Sequence, residues 1–409
     1  MFTLPDLSVE LIEAILQYLE LKDHQSIRLV CSRLFQKGFR QSCKALFTEI
    51  AVEISRQSLE VLREISLRGE IASFVKKLRI NVGPDDSSLG AGFGWTRQSS
   101  DCLEDTNEAI QMFREAIRQM KNVQHVEIIS LEGPGTAEES FRACQGLRNT
   151  YPRVTRPDCL YMILRAFALE DKLISSFHIP FVPGDPPTIK GPISRRPFTF
   201  DKHKIPAHAF EISGQQDFRR NIRHLTLHFG TGYKGTYEFF QDFLSSIEAL
   251  ESLSLGYGFV GSIKHMISSQ QCLGLKRLSL YSFCLQDDSL SLLLAQCGKV
   301  LNSLELKCIT LAGKSSWLQL LHQLPDLLPS LEKISLIRLY DATNRHDDRS
   351  KLILFPDLEG VSALPGVAHL GLRLYHDNYP SEGFVKGVTY SGGHAQRALE
   401  FIAKAAVQT

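Results

Sequence analysis

Residues 275–306 read LKRLSLYSFCLQDDSLSLLLAQCGKVLNSLEL and contain the pattern that repeats along the chain. It begins and ends with the same short pattern, apolar-x-x-apolar-x-apolar: Leu275, Leu278 and Leu280, then Leu301, Leu304 and Leu306. Alternation with a period of two buries one face of a short strand. The apolar residues between the two copies have the spacing of one helix face: Leu290, Leu293, Leu294 and Cys297. The stretch therefore predicts a strand, a helix and a second strand.

The strand pattern recurs along most of the chain. Its other copies run from Val75 to Ile80, Val123 to Ile128, Ile222 to Leu227, Leu250 to Leu255, Leu331 to Leu336 and Val367 to Leu372. From Leu227 onward the last apolar positions are 25 to 36 residues apart, which is close to the period of leucine-rich repeats. A single strand and helix bury too little core alone, so neighbouring units are expected to stack.

Further apolar stripes predict helices before several of these strands, at Ile110–Met120, Leu160–Phe167, Phe239–Ile247 and Trp317–Leu324. Pro325 is expected to end the last of these helices. A closing helix is predicted at His394–Val407. The body of the chain resembles an irregular leucine-rich-repeat solenoid with parallel strands inside and helices outside. An ordinary α/β domain with a parallel sheet is the alternative, because it also alternates helix and strand. In either case the fold class is α/β.

The segment from residue 4 to residue 34 reads LPDLSVELIEAILQYLELKDHQSIRLVCSRL. Ser8 is expected to cap a first helix with the apolar stripe Leu11, Ile12, Ile15, Leu16 and Leu19. A second helix, capped by Asp23 and ended by Gly38, would carry Ile27, Val30, Cys31 and Leu34 on one face, with Leu29 off it. A unit of roughly 40 residues seldom supports a core of its own. Apolar surface of this extent predicts a partner.

The same segment resembles an F-box, the helical module that docks on the Skp-type adaptor of SCF ubiquitin ligases. The resemblance implies a three-helix F-box over residues 1–50 with these adaptor-binding residues: Leu4, Pro5, Leu7, Leu11, Ile12, Ile15, Leu16, Leu19, Ile27, Leu29, Val30, Cys31 and Leu34. One position departs from the family, because His24 stands where an apolar residue is usual, and one adaptor contact is expected to be weaker. A helical hairpin that caps the downstream domain is the alternative.

Composition excludes several classes of function. The 409 residues have a formal net charge of +1, which gives no basis for general binding to nucleic acid or membranes. The nine cysteines form no C-x-x-C pair, which favours a reduced, intracellular compartment, either cytoplasm or nucleus.

We found no catalytic motif, and Gly90-x-Gly92-x-Gly94 lacks the rest of a nucleotide fingerprint. His224 and His228 on one strand would be about 13 Å apart, too far for a shared metal ion. No metal or cofactor is predicted.

Side chains that alternate with the buried strand positions would form an exposed face that is more basic than the whole chain. The predicted target-binding residues on it are Lys77, Arg79, His224, His228, Arg277, Tyr281, Lys307, Lys333 and Arg373. Such a face suits a partner with acidic or phosphorylated groups. Ordinary solvation of a sheet face is the alternative.

The chain as a whole resembles an F-box/leucine-rich-repeat substrate receptor of the fungal type. Residues 51–409 would form the solenoid, interrupted by a proline-rich insert at about 178–216. The implied function is substrate recognition in an SCF-type E3 ubiquitin ligase, without catalysis by this subunit. Its partners would be the Skp-family adaptor, through it a cullin–RING ligase, and a target protein. The alternatives are an F-box scaffold without a degradative role and an enzyme with its site in residues 180–206.

Overall fold

The computed structural model divides into two units, residues 1–174 with 208–215 (unit 1) and residues 175–207 with 216–409 (unit 2). No helix among the described residues combines the length and apolarity needed to cross a bilayer. The structure describes residues 3–82, 89–98, 103–129, 154–179, 218–228, 243–256, 260–261, 271, 273–286, 288–312, 316–342, 351–355, 372–376 and 385–408.

Unit 1 begins with a 3₁₀ turn at Leu4–Asp6 and three helices, α1 (Val9–Leu16), α2 (Leu21–Val30) and α3 (Ser32–Phe47). Ser8 caps α1 as expected, because its side chain accepts a hydrogen bond from the Leu11 N–H at 3.4 Å. The helices share a small core of Ile12, Leu16 and Leu34, with Leu7, Leu19, Ile27 and Cys31 packed against it.

The predicted second helix from Asp23 to Gly38 was wrong. The chain breaks at Cys31, whose backbone is extended (φ −160°, ψ 154°), and α3 starts anew after it. The Cys31 sulfur accepts a hydrogen bond from the Leu34 N–H at 3.4 Å and so occupies the N-cap of α3. Because the helix restarts there, Val30 does not share a face with the buried Leu34 and lies exposed.

Two further details of this region differ from prediction. Glu20, not Asp23, occupies the N-cap position of α2. Gly38 lies buried in the middle of α3 rather than at its end. A Cβ built at Gly38 would lie 2.5 Å from the Leu16 Cδ1, so the missing side chain lets α3 approach α1 closely.

The rest of unit 1 consists of β1 (Glu49–Glu53), α4 (Arg56–Leu67), α5 (Gly69–Ala72), β2 (Lys77–Asn81), α6 (Glu108–Gln119), β3 (His125–Ile129) and α7 (Arg156–Leu169). The three strands are parallel and pair in chain order. Their inward residues form two buried rows: Ile50, Leu78 and Val126, then Val52, Ile80 and Ile128. Helix α6 packs against both α4 and α7. The predicted helices at residues 110–120 and 160–167 are both present.

Unit 2 is built mainly from parallel strands that pair in the order β4 (Ser176–Ile179), β5 (His224–His228), β6 (Ser252–Gly256), β8 (Arg277–Tyr281), β10 (Ser303–Ala312) and β11 (Lys333–Ala342). A 3₁₀ turn at Phe218–Asn221 precedes β5, and a short strand β7 (Val260–Gly261) follows β6. The apolar positions form buried rows across all six strands, such as Phe177, Leu225, Leu253, Leu278, Leu304 and Ile334. The proline-rich insert was predicted to begin at about residue 178, but strand β4 extends to Ile179. Residues 180–217 lie outside the described part.

Each of three successive repeats is longer than the sequence pattern indicated. Ser282, Cys308 and Arg338 occupy equivalent positions, two residues after the last predicted apolar residue, and all have φ between 54° and 57°. After this left-handed residue each chain segment returns to strand pairing. Strand β9 (Cys284–Gln286) pairs with the second half of β10, and the second half of β10 pairs with the second half of β11. The extra strand segments bury Phe283, Leu285, Ile309, Leu311 and Leu339.

Helices α8 (Ser289–Cys297) and α9 (Trp317–Leu327) connect the last parallel strands. Both carry the predicted apolar stripes, which are buried. Pro325 lies inside α9 and does not end it, because the helix continues to Leu327. A proline this close to a C-terminus removes one helical hydrogen bond without preventing the final turn.

Within the part of the chain that the structure describes, the parallel series ends at β11. The strand predicted at Val367–Leu372 lies outside the described residues, except for its last residue. Residues 356–371 lie outside the described part, and strand β13 begins just after Leu372. Antiparallel β14 occupies the place beside β11 and pairs with antiparallel β13 on its other side. The closing elements are β12 (Lys351–Leu354), β13 (Arg373–His376), β14 (Val385–Ser391), α10 (Ala395–Ala405) and β15 (Val407–Gln408). Helix α10 packs on α9, as expected of a closing helix.

Candidate protein-binding sites

Helices α1 and α2 present apolar side chains to solvent. Tyr18 and Leu29 are the most exposed, at 88% and 81%. We call the exposed set the N-terminal apolar surface: Leu4, Val9, Leu11, Ile15, Tyr18, Leu29 and Val30. Leu11 and Ile15 are four residues apart on α1 and therefore share one face of it. Exposed apolar residues at this density are typical of a binding surface.

The other predicted adaptor-binding residues lie deeper. Ile12, Leu16 and Leu34 are buried in the core of the three helices, so they stabilise the module and are not on its surface. The partly buried residues are Pro5, Leu7, Leu19, Ile27 and Cys31. The apolar stripe expected along α1 is thus two stripes, one toward α3 and one toward solvent.

His24 is buried in this module and does not contribute to the N-terminal apolar surface. Its Nδ1 lies 3.5 Å from the Ser42 Oγ of α3. The departure from the family pattern therefore changes the contact between α2 and α3.

The turn that carries Leu4 is tied to α3. The Lys37 ammonium donates hydrogen bonds to the carbonyl oxygens of Pro5 (3.0 Å) and Leu7 (2.6 Å). The Arg33 guanidinium lies 3.1 Å from the Asp6 carboxylate, which also accepts hydrogen bonds from Thr3. The Thr3 bonds, helped by Arg33 and Lys37, lower the pKa of Asp6. These contacts hold the first residues of the apolar surface in one conformation.

The outward sheet face of unit 1 is not basic. Lys77 Nζ lies 2.6 Å from Glu127 and 3.3 Å from Glu49, and Arg79 pairs with the same two carboxylates at 3.1 and 2.7 Å. Burial would raise the pKa of Glu127, but hydrogen bonds from Lys77 and Arg79 outweigh it and lower the pKa. Glu49, on a strand that the sequence pattern did not reveal, supplies the unexpected counter-charge.

The outward face of unit 2 carries a different row of side chains at its strand entrances. In register across five strands stand His224, Ser252, Arg277, Ser303 and Lys333, which we call the entrance row. Arg277 Nη2 lies 3.2 Å from His224 Nδ1. Arg277 and Lys333 are both exposed, and neither forms an ion pair with any described residue. The entrance row therefore keeps its positive charge available.

A hydrogen-bonded cluster lies further along the same face. His228 Nε2 lies 2.9 Å from Ser254 Oγ, and its ring centroid is 5.1 Å from that of Tyr281. Tyr281 donates a hydrogen bond to Glu305, and Lys307 Nζ lies 2.5 Å from the same carboxylate. Burial lowers the pKa of His228 to about 4, although Glu305 acts in the opposite direction. Lys307 is thus neutralised and His228 is uncharged at neutral pH.

Gly256 makes this cluster possible. It stands beside His228 in the parallel ladder, and a Cβ there would lie 2.8 Å from the imidazole Cδ2. Arg373, the last predicted target residue, is exposed on β13 and pairs with Thr389 of β14. Because Lys333 pairs with Ser391 of β14, Arg373 stands outside the entrance row.

The described residues contain no group of three or more His, Cys, Asp or Glu side chains able to hold a metal ion. The described cysteines are either buried (Cys43, Cys159 and Cys297) or half-buried (Cys31, Cys284 and Cys308).

Comparison with known proteins gives one result. The family model described as F-box domain matches residues 4–36, the segment that holds the 3₁₀ turn, α1, α2 and the start of α3. No curated protein matches the chain. F-box domains generally bind Skp-type adaptors. Residues 4–36 of this chain therefore form an F-box domain, which implies binding to a Skp-type adaptor and a role in an SCF ubiquitin ligase.

Proposed function

We propose that this chain is a non-catalytic, intracellular substrate receptor of an SCF-type ubiquitin ligase. The F-box would hold the Skp-type adaptor, and through it the cullin, while the repeats bind a target protein. The observation that carries the proposal is the N-terminal apolar surface, which lies within the matched F-box segment. Ubiquitin transfer would then depend on proximity, since the receptor holds the target near the charged enzyme.

The free energy of burying the exposed apolar side chains can be compared with the cost of forming an adaptor complex. Burying a side chain such as Leu11, Ile15 or Leu29 contributes about 1.5–3 kcal/mol when it was fully exposed before. Association costs at least about 4 kcal/mol, so three such side chains leave little net free energy, and most of the N-terminal apolar surface must be buried together for a stable complex. The internal residues Ile12 and Leu16 are not needed in this sum.

Co-purification with the Skp-type adaptor tests the proposal. The triple variant Leu11→Ser, Ile15→Ser and Leu29→Ser should lose at least tenfold in adaptor affinity, because it removes exposed apolar area and leaves the internal core intact. The matched control is Val61→Ser with Leu67→Ser, which alters exposed apolar residues of α4 outside the F-box. Equal adaptor binding by the triple variant and the control would contradict the proposal.

We further propose that the repeats form a leucine-rich-repeat solenoid of the kind joined to F-boxes in fungal-type receptors. The in-register parallel strands, the intervening helices and the equivalent left-handed residues in three repeats support it. The target would meet the outward face of unit 2 through the entrance row. Its recognised segment would be acidic or phosphorylated, since Arg277 and Lys333 lack carboxylate partners among the described residues.

Degradation and scaffolding give different results in cells. A degradative receptor should let its target accumulate when residues 1–40 are deleted. A scaffold that binds the adaptor without ubiquitin transfer should leave target levels unchanged in the same experiment. Unchanged levels, with adaptor binding intact in the full chain, would favour the scaffold.

A further inference from the structure

Unit 1 contains an open cleft of about 320 Å³ between the F-box helices and the first repeat. Its walls come from α1 (Glu13), α3 (Arg40 and Lys44), the residue after α3 (Thr48) and the segment between α5 and β2 (Phe74 and Lys76). The wall is fixed at one side, because the Thr48 carbonyl accepts hydrogen bonds from the backbone N–H groups of Lys76 and Lys77. A volume of this size lies at the lower end of the range for small-molecule sites.

Three basic side chains line this cleft, and none of them forms an ion pair within the described part of the chain. Arg40 and Lys44 are four residues apart on α3 and therefore point the same way, where like charges repel. Lys76 adds a third positive charge from the other wall. None of the three makes a side-chain hydrogen bond or an ion pair. Glu13 is the single carboxylate among the lining residues.

This arrangement is unusual within the described part of unit 1. Most basic side chains there lie within ion-pair distance of a carboxylate, as in the pairs of Arg63 with Glu115 and of Arg97 with Asp158. The described basic side chains of unit 1 that have neither an ion pair nor a hydrogen bond are Arg40, Lys44, Arg68, Lys76 and Lys121. Three of these five line the same cleft.

We infer that the cleft binds a small oligophosphate. Phosphate groups accept several charge-assisted hydrogen bonds, and both guanidinium and ammonium groups supply them. One phosphate group carries a charge of about −1.5 to −2 at neutral pH, so two linked phosphates can balance three cations, whereas a single phosphate cannot. Phe74 adds an apolar wall on which a group attached to the phosphates could rest. The bound anion would join the F-box helices to the first repeat, independently of adaptor or target.

Isothermal titration of the full chain with inorganic diphosphate at low salt tests the inference. The variant Arg40→Gln, Lys44→Gln and Lys76→Gln should bind diphosphate at least tenfold more weakly than the wild type. The matched control, Arg68→Gln with Lys121→Gln, removes the two unpaired cations outside the cleft and should stay within twofold. Orthophosphate should bind at least tenfold more weakly than diphosphate. A parallel titration with ADP distinguishes two ligands. Tighter binding of ADP than of diphosphate indicates a nucleotide, and equal affinities indicate that only the phosphate groups are recognised.

A gain-of-binding variant guards against loss through misfolding. Glu13→Gln removes the one repulsive carboxylate of the lining and should tighten diphosphate binding, by about threefold. Absence of diphosphate binding to the wild type, or an equal loss in the triple variant and the control, would overturn the inference. Weaker binding by Glu13→Gln would overturn the assignment of the anion to this cleft.

Discussion

Lys77 of unit 1 and Lys333 of unit 2 stand at the same position of their repeats, directly before the second apolar strand residue, yet their surroundings differ. Lys77 lies between strands that carry Glu49 and Glu127, and both carboxylates pair with it. Lys333 lies between Ser303 and Ser391, which carry no charge. The charge of a sheet face is therefore decided across strands, by register, and not along the chain.

The same contrast separates two kinds of surface. In unit 1 the outward-facing charged side chains form ion pairs with one another across adjacent strands. In unit 2 the polar residues divide: the cluster around Glu305 is internally satisfied, while Arg277 and Lys333 of the entrance row remain exposed. Unit 2 is thus the better candidate for recognising a charged target.

The largest effect is expected from pH on the cluster of unit 2. Because the folded pKa of His228 is about 4, the folded chain stays unprotonated there at pH values where the unfolded chain takes up a proton. The contribution of His228 to the free energy of unfolding is present above about pH 6.5 and is lost as pH falls toward 4. The loss amounts to at most about 3.5 kcal/mol, at ~1.4 kcal/mol for each unit of pKa difference.

Denaturant unfolding at pH 7, 6 and 5, followed by a signal from unit 2, measures how the free energy of unfolding depends on pH. The variant His228→Gln keeps a hydrogen-bonding side chain without a titration in this range, so its stability should depend less on pH. Glu305 has a lowered pKa because hydrogen bonds from Lys307 and Tyr281 outweigh burial, and it affects stability only at lower pH. Identical pH slopes for the variant and the wild type would show that His228 is not desolvated.

The sequence pattern identified the described strands β5, β6, β8, β10 and β11 of unit 2, because alternation is a local property of the sequence. Two strands that carry a copy of the motif were nevertheless missed: β1, with Phe47, Ile50 and Val52, and β4, with Ile174, Phe177 and Ile179. Phenylalanine replaces an aliphatic residue in both copies, which weakens the resemblance to the other repeats. Without β1, Glu49 could not be recognised as the partner of Lys77.

Other features depend on contacts that no local pattern contains. Strand direction is one, because an alternating segment such as β14 has the same period whether it runs parallel or antiparallel. The inward face of α1 is another, since both Ile12 and Leu11 are apolar and only packing against Leu34 distinguishes them. The F-box segment was identified correctly, whereas the division of its residues between core and surface required the structure.

A smaller effect is expected from reversing charge on each face. Arg277→Glu with Lys333→Glu should weaken capture of an acidic or phosphorylated target at least 100-fold, which equals about 2.7 kcal/mol, because attraction becomes repulsion. Lys77→Glu with Arg79→Glu changes the same number of charges in unit 1 and should leave capture within about threefold. Affinity purification compared between the two variants measures this difference, and equal losses would remove the distinction between the faces.

The smallest effect concerns the ion pairs of unit 1 themselves. Glu127 lies on β3 with its side chain 19% exposed, whereas Glu49 lies on β1 with 40% exposed. Ion pairs gain strength as water is excluded, and exposed pairs contribute between ~0 and ~1 kcal/mol. Glu127→Gln should therefore lower the free energy of unfolding by about 1 kcal/mol, and Glu49→Gln by a few tenths.

Chemical denaturation in low and high salt separates the two variants. Salt screens the exposed pairs, so the difference between Glu49→Gln and the wild type should vanish at about 1 M salt, where the Debye length is near 3 Å. The Glu127→Gln difference should persist in part, because the less exposed Glu127 carboxylate is screened less by salt than Glu49. If Glu49→Gln proved the more destabilising, the carboxylate that neutralises Lys77 and Arg79 would be the one on β1, and the unit 1 face would depend on the strand that the sequence pattern missed.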